Sequence, residues 1–86
     1  MALYQILYWK HVPAQIKVFG EGKRPVSRPL PDRFQVEIDK IAMNEGLVGT
    51  DAYLEHWRWT RKVERPGSVE EVADALIREL EQESKI

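Results

Sequence analysis

The chain has no cysteine. Disulfides, thiolate zinc sites, iron–sulfur ligation and a cysteine nucleophile are thereby excluded together, and a fold that needs no oxidising compartment suits the cytoplasm. Long apolar runs are also missing. No segment approaches the roughly 20 apolar residues that a membrane span needs. The first residues show no basic region followed by an apolar stretch and a small-residue cleavage site. We therefore expect a soluble, unexported, cytoplasmic chain with no membrane partner. Charge of one sign is lacking as well, because 13 basic residues nearly cancel 14 acidic ones. Whole-molecule charge thus offers no steering toward nucleic acid, and any such preference must come from local asymmetry. Only two histidines occur, His11 and His56, in no metal-ligand spacing. Internal repeats and low-complexity tracts are absent.

What is present is ordinary globular material in one short chain: 86 residues, 43% hydrophobic and 31% charged. That length makes one domain, residues 1–86, burying only roughly 60–65% of the surface that the unfolded chain exposes. The stretch Leu3-Tyr4-Gln5-Ile6-Leu7-Tyr8-Trp9 organises it. Leu3, Leu7 and Trp9 fall on one side of a strand and Tyr4, Ile6 and Tyr8 on the other. A strand that is bulky and apolar on both sides belongs in the middle of its sheet.

A polar break at Lys10-His11-Val12-Pro13 leads into a second strand, Ala14 to Phe19, with Ile16 and Val18 opposite Gln15, Lys17 and Phe19. Gly20 to Pro31 has two glycines, three prolines and no periodicity, and reads as a stiff surface loop. Pro31 and Asp32 suit the first turn of a helix running from about 31 to 45. Its stripe is Phe34, Ile38, Ile41 and Met43 or Ala42, and Gly46 supplies a left-handed stop on which Leu47 folds back. Thr50 or Asp51 would cap a single turn, Ala52 to Glu55. Trp57 to Val63 alternates as a third strand, with Trp57, Trp59 and Val63 opposite His56, Arg58, Thr60 and Lys62. Beyond Pro66-Gly67, Ser68 and Glu71 fit a capping box for a helix with Val69, Val72, Ala73, Leu76, Ile77 and Leu80 on one stripe, fraying from Glu81. The fold class is therefore α+β with order β-β-α-β-α. Its three-stranded antiparallel sheet, ordered 2-1-3 as a split β-α-β, carries two helices on one face.

Candidate chemistry is sparse. The loop after the second strand, with Lys23, Arg24, Arg28 and Arg33 leading to a helix start, is a candidate anion-binding element. It is not a Walker loop, whose spacing it lacks. Ser68 is explained as a cap, and Glu70 and Glu71 by the helix dipole. No catalytic or metal-ligating constellation emerges, so the expectation is a non-enzyme without cofactor or metal. The clean alternation of the third strand predicts that Trp57 and Trp59 lie between sheet and helices. His56, Arg58, Thr60 and Lys62 would then face out on the helix-free side. Beside them would lie one set from the first strand, either Tyr4 and Tyr8 with Ile6 or Leu3 and Leu7 with Trp9. The surface so predicted takes Tyr4, Tyr8, Lys17, Phe19, His56, Arg58 and Lys62. Apolar side chains on an uncovered face mark a partner surface.

The run Ile6-Leu7-Tyr8-Trp9-Lys10-His11-Val12-Pro13-Ala14-Gln15-Ile16-Lys17, with Arg33-Phe34 and Asp51-Ala52-Tyr53-Leu54, resembles a small bacterial family known simply as "virulence factor". That domain is also met in longer proteins of the conserved virulence factor C type, beside HEAT-like repeats. The resemblance spans nearly the whole chain. It implies an accessory or adaptor module and assigns no catalytic residue, cofactor or ligand. Together with the open sheet face it points to a non-catalytic interaction domain binding a protein partner or a second copy of itself. The alternative is a nucleic-acid or polyanion-binding module using Lys17, Arg58, Lys62 and the basic 23–33 loop, against which the balanced charge argues.

Overall fold

The structure, a computed structural model, describes residues 2–20, 22 and 24–83. The elements are β1 (Ala2–Trp9), β2 (Val12–Phe19), β3 (Val26–Pro29), α1 (Asp32–Asn44), α2 (Asp51–Glu55), β4 (Trp57–Trp59), β5 (Val63–Arg65) and α3 (Val69–Glu83). The central role of β1 follows from its two bulky sides. It pairs antiparallel with β2 along one edge and with β4 and then β5 along the other. The order is β3-β2-β1-β4, with β5 continuing on β1.

The sheet has five strands, not the three expected. Two differences account for this. Val26–Pro29, expected to lie within a loop, pairs antiparallel with β2 from Val18↔Val26 to Gln15↔Pro29. Proline is tolerated there because an edge strand needs hydrogen bonds on one side only. The expected third strand is broken into β4 and β5. The remaining order matches expectation, with β1 between β2 and the strand segments that follow the helix.

Both neighbours of β1 carry one extra residue. On β2 the pairing passes from Leu7↔Gln15 to Tyr8↔Pro13, leaving Ala14 over. On the other edge it passes from Leu7↔Trp59 to Tyr4↔Val63, three residues of β1 against four. A bulge of this kind exchanges the faces of the side chains on either side of it. Thr60 holds the second bulge: its hydroxyl accepts from the Ile6 amide at 3.0 Å and its carbonyl accepts from the Gln5 side-chain amide at 2.9 Å. The break after β1 is shorter than expected, only Lys10 and His11, with Lys10 at φ 56°.

The helices form where local signals place them. In α1, Asp32 occupies the first turn, and Gly46 beyond its end takes φ 68° while the Leu47 amide donates to the Ala42 carbonyl at 2.8 Å. Ser68 Oγ accepts from the Glu71 amide at 3.1 Å and caps α3, which continues through Glu83 instead of fraying at Glu81. Thr50 precedes α2 but does not cap it, its hydroxyl donating back to the Leu47 carbonyl. The expected fraying of 84–86 lies outside the described residues.

One core joins sheet and helices: Ala2, Ile6, Trp9, Val12, Ile16 and Val18 with Leu30, Phe34, Ile38, Ala42, Val69, Val72, Ala73, Leu76 and Leu80. α3 crosses β2 and β3 and is pinned at its start by Gly20, where a Cβ would stand 2.4 Å from Val69 Cγ2. Ion pairs Arg28–Asp74 and Arg65–Glu79 join β3 and β5 to α3, and Arg33–Glu81 joins α1 to α3.

Candidate interaction surface

Ladder register sorts the strands into two sides. Tyr4 lies opposite buried Val18, Ile6 opposite buried Ile16, and Arg28 opposite Ile16 on the β3 side. With Arg28 and Arg65 engaged by α3, this is the covered side. Tyr4 and Tyr8 belong to it and pack against the core. Burial pushes the Tyr8 phenol above its usual pKa, with the Glu83 carboxylate on α3 adding to the effect. Both tyrosines therefore leave the expected exposed set; of the two alternatives for the first strand, the Leu3 and Leu7 side is the uncovered one.

That other side carries Leu3 opposite Phe19 and Glu64, Gln5 opposite Lys17, and Leu7 opposite Gln15 and Trp59. Leu3 is 38% exposed and Trp59 43%. The placement of Trp59 against the helices is therefore corrected, whereas Trp57 does pack against a helix, at Tyr53 of α2. Trp59 stands on the uncovered side, Trp57 is half-buried beside Tyr53, and Arg58 shares the side of Tyr8. The alternation was real, but the bulge at 60–62 gives Trp59 and Val63 opposite faces, so one inward set never existed. Lys62 and Lys17 remain where the uncovered side was expected to have them. The Lys62 ammonium lies 4.4 Å and that of Lys17 5.5 Å from the centre of the Phe19 ring.

Near the β1–β2 turn the same side is closed. Trp9 shares the side of Leu7 and Trp59 yet is wholly buried, because α2 folds over it. Its indole N–H donates to the Tyr53 carbonyl at 2.8 Å, and its ring lies 5.5 Å from Tyr53 and 5.6 Å from His56. Lys10 pairs with Glu45, and Arg58 donates to the Lys10 carbonyl at 3.3 Å. His56, expected on the interaction surface, is a half-buried member of this cluster, and His11 is exposed beside it in a shallow concavity with Glu55. Among the described residues no group of three metal-binding side chains is assembled.

Among the described residues the basic loop is not gathered into one site. Arg28 pairs with Asp74 at 2.8 Å, and Arg33, stacked on Phe34, approaches Glu81 at 3.7 Å. Arg24 is exposed, and Lys23 lies outside the described residues. A feature hidden by the balanced total emerges from the fold. Among the described residues, those of 2–31 and 56–68, which supply the sheet, hold eight basic side chains and one acidic; those of 32–55 and 69–83, which supply the helices, hold three and twelve. The ion pairs to α3 join these opposite layers. Lys17 and Lys62 project instead to the uncovered side. Sequence reading missed Trp59 as a member of this surface and held Leu3 and Leu7 only as the alternative to Tyr4 and Tyr8, because the two-sided bulk of β1 does not say which side is covered.

Comparison with known families matches the virulence-factor family over residues 7–85, and the chain belongs to that family. No curated protein and no solved structure matches it. No helix among the described residues is long and apolar enough to cross a membrane.

Proposed function

We propose that this member of the virulence-factor family is a non-catalytic protein-interaction module, docking its partner on the uncovered side of the sheet. Leu3, Leu7, Phe19 and Trp59 form the apolar centre, with Gln5, Gln15, Lys17, Lys62 and Glu64 as the polar rim. The observation that carries this reading is the exposure of Trp59 opposite Leu7 on a side that no helix among the described residues covers there. An indole beside leucines and a phenylalanine ring, edged by amides, ammonium groups and one carboxylate, is the composition of an interface centre. The side chains gathered there include no nucleophile and no carboxylate pair, which supports a binding role over a catalytic one.

The test is capture from native lysate followed by identification of the bound protein. A specific partner should be retained by the parent and by Glu70→Gln, on the acidic helix layer, and lost with Trp59→Glu. Equal retention by Trp59→Glu would refute the assignment of the surface. Nucleic-acid binding is a second reading, favoured by the two ammonium groups beside Phe19 and the exposed indole. It requires a single-stranded oligonucleotide to bind at low salt and to be released steeply as salt rises. The ammonium groups lie against the Phe19 ring that a base would stack on, so the protein reading is preferred.

A further inference from the structure

We propose that α2 is a hinged cap over Trp9, opening and closing while the rest of the sheet stays folded. This rests on the reading of the uncovered side as a docking surface and gives that surface a closed and an open state. Among the described residues Trp9 is the largest fully buried side chain, yet the helix that covers it buries none of its own five residues. No residue from 43 to 68 is buried, so the segment that holds α2 rests on the core without entering it. A helix this short has no stability of its own in water. Thr50, which stands before it, donates its hydroxyl back to the Leu47 carbonyl instead of capping it.

Few interactions hold the cap down. The Trp9 indole N–H donates to the Tyr53 carbonyl at 2.8 Å, and the Tyr53 ring lies 5.5 Å from Trp9 and 6.2 Å from Trp57. Leu54, on the same turn, is 65% exposed and adds little cover. Both flanks of the cap are fixed. The Leu47 amide donates to the Ala42 carbonyl of α1 at 2.8 Å, and the His56 carbonyl accepts from the Lys10 amide at 3.2 Å. Between Leu47 and α2 lies Gly49, at φ 76° with no atom near the place of a Cβ. Its dihedral alone calls for glycine there, and a residue free of side-chain contacts can absorb a change of dihedral. Swinging about Gly49 and His56, α2 leaves both anchors in place. It uncovers Trp9 on the side of Leu7 and Trp59, which adds a second indole to the apolar centre of the docking side.

Hydrogen exchange of the Trp9 indole proton, followed by NMR on the purified chain, tests this, because that proton is donated inward and is released only when Tyr53 withdraws. The Gln5 and Lys17 amides, opposite one another in β1 and β2, report loss of the sheet itself. Opening at Trp9 should be at least about tenfold more frequent than at those amides and nearly independent of low urea, since a local opening exposes little surface. Gly49→Ala strains only the closed form, and should raise opening at Trp9 roughly fivefold or more while Gln5 and Lys17 stay unchanged. An indole proton that exchanges only together with the Gln5 and Lys17 amides, and with their urea dependence, overturns the proposal. So does a Gly49→Ala chain in which Trp9 does not shift, or shifts in step with those amides. The cap is decided on the free chain and the docking surface by capture with Trp59→Glu, so either reading can fail without the other.

Discussion

Trp9 and Trp59 stand on the same side of the same sheet, on adjoining strands, and one is wholly buried while the other is nearly half exposed. Nothing in the indoles themselves separates them. α2 folds over the first, and its Tyr53 carbonyl accepts the indole proton, whereas among the described residues the second is left 43% exposed. The closed end and the open remainder of this side teach that an apolar side chain on a central strand states a demand for cover, and that chain connectivity decides which demands are met internally. The unmet one is the candidate docking surface.

The largest test of that contrast removes each ring in turn. Trp9→Ala should cost about 3–5 kcal/mol in urea unfolding, most of what a domain of this size has, because it leaves a cavity and an unpaired Tyr53 carbonyl. Trp59→Ala should stay within about 1 kcal/mol. Similar losses at both positions would mean that the open side is closed in solution.

A second test concerns the covered side, where β2 meets α3. Gly20→Ala forces a Cβ onto Val69 Cγ2 and should cost about 1–3 kcal/mol. Combined with Val69→Ala the loss should be less than additive in a double-mutant cycle, since the second change removes the clashing methyl. Strict additivity would show that strand and helix are farther apart than described.

Smaller effects attend the ion pairs that bind the basic sheet to the acidic helices. Arg28→Gln or Arg65→Gln should each cost below about 1 kcal/mol and less at high salt, because all four partners are substantially exposed. The smallest effect is a pH dependence. Hydrogen bonding from Arg65 holds the Glu79 carboxyl below its ordinary range. The stabilisation it provides is complete above the ordinary carboxylate range and is lost as pH falls through the lower folded value. Glu79→Gln should therefore show a shallower acid limb in a plot of stability against pH, with the neutral region little changed. At the other extreme the raised Tyr8 pKa supports the fold below the ordinary tyrosine range and ceases to do so as pH rises through the folded value. Tyr8→Phe should remove that alkaline step.

Much of the fold was legible because its signals are local or depend on one strand alone. Two bulky sides made β1 central, Ser68 and Gly46 bounded helices by their own geometry, and the stripe of Val69 to Leu80 named the buried face of α3. β3 was not legible, since prolines argue against a strand and only its edge position excuses them. The surface was half legible. Lys17, Phe19 and Lys62 were foreseen, whereas Tyr4, Tyr8, His56, Arg58 and Trp59 were assigned to the wrong environments.

The sequence by itself determined which segments are helices, that the first strand is the centre of the sheet and, by resemblance, that the chain belongs among the virulence-factor domains. The first two rest on hydrogen bonds and periodicities within a few residues of one another. Tertiary structure alone decided which side of β1 is covered, that Trp59 and Val63 face opposite ways, and that a charge balanced in total is divided between a basic sheet and an acidic helix layer. Each of those depends on a one-residue register shift or on the packing of segments distant in the chain. A period of two cannot report the residue at which it is broken.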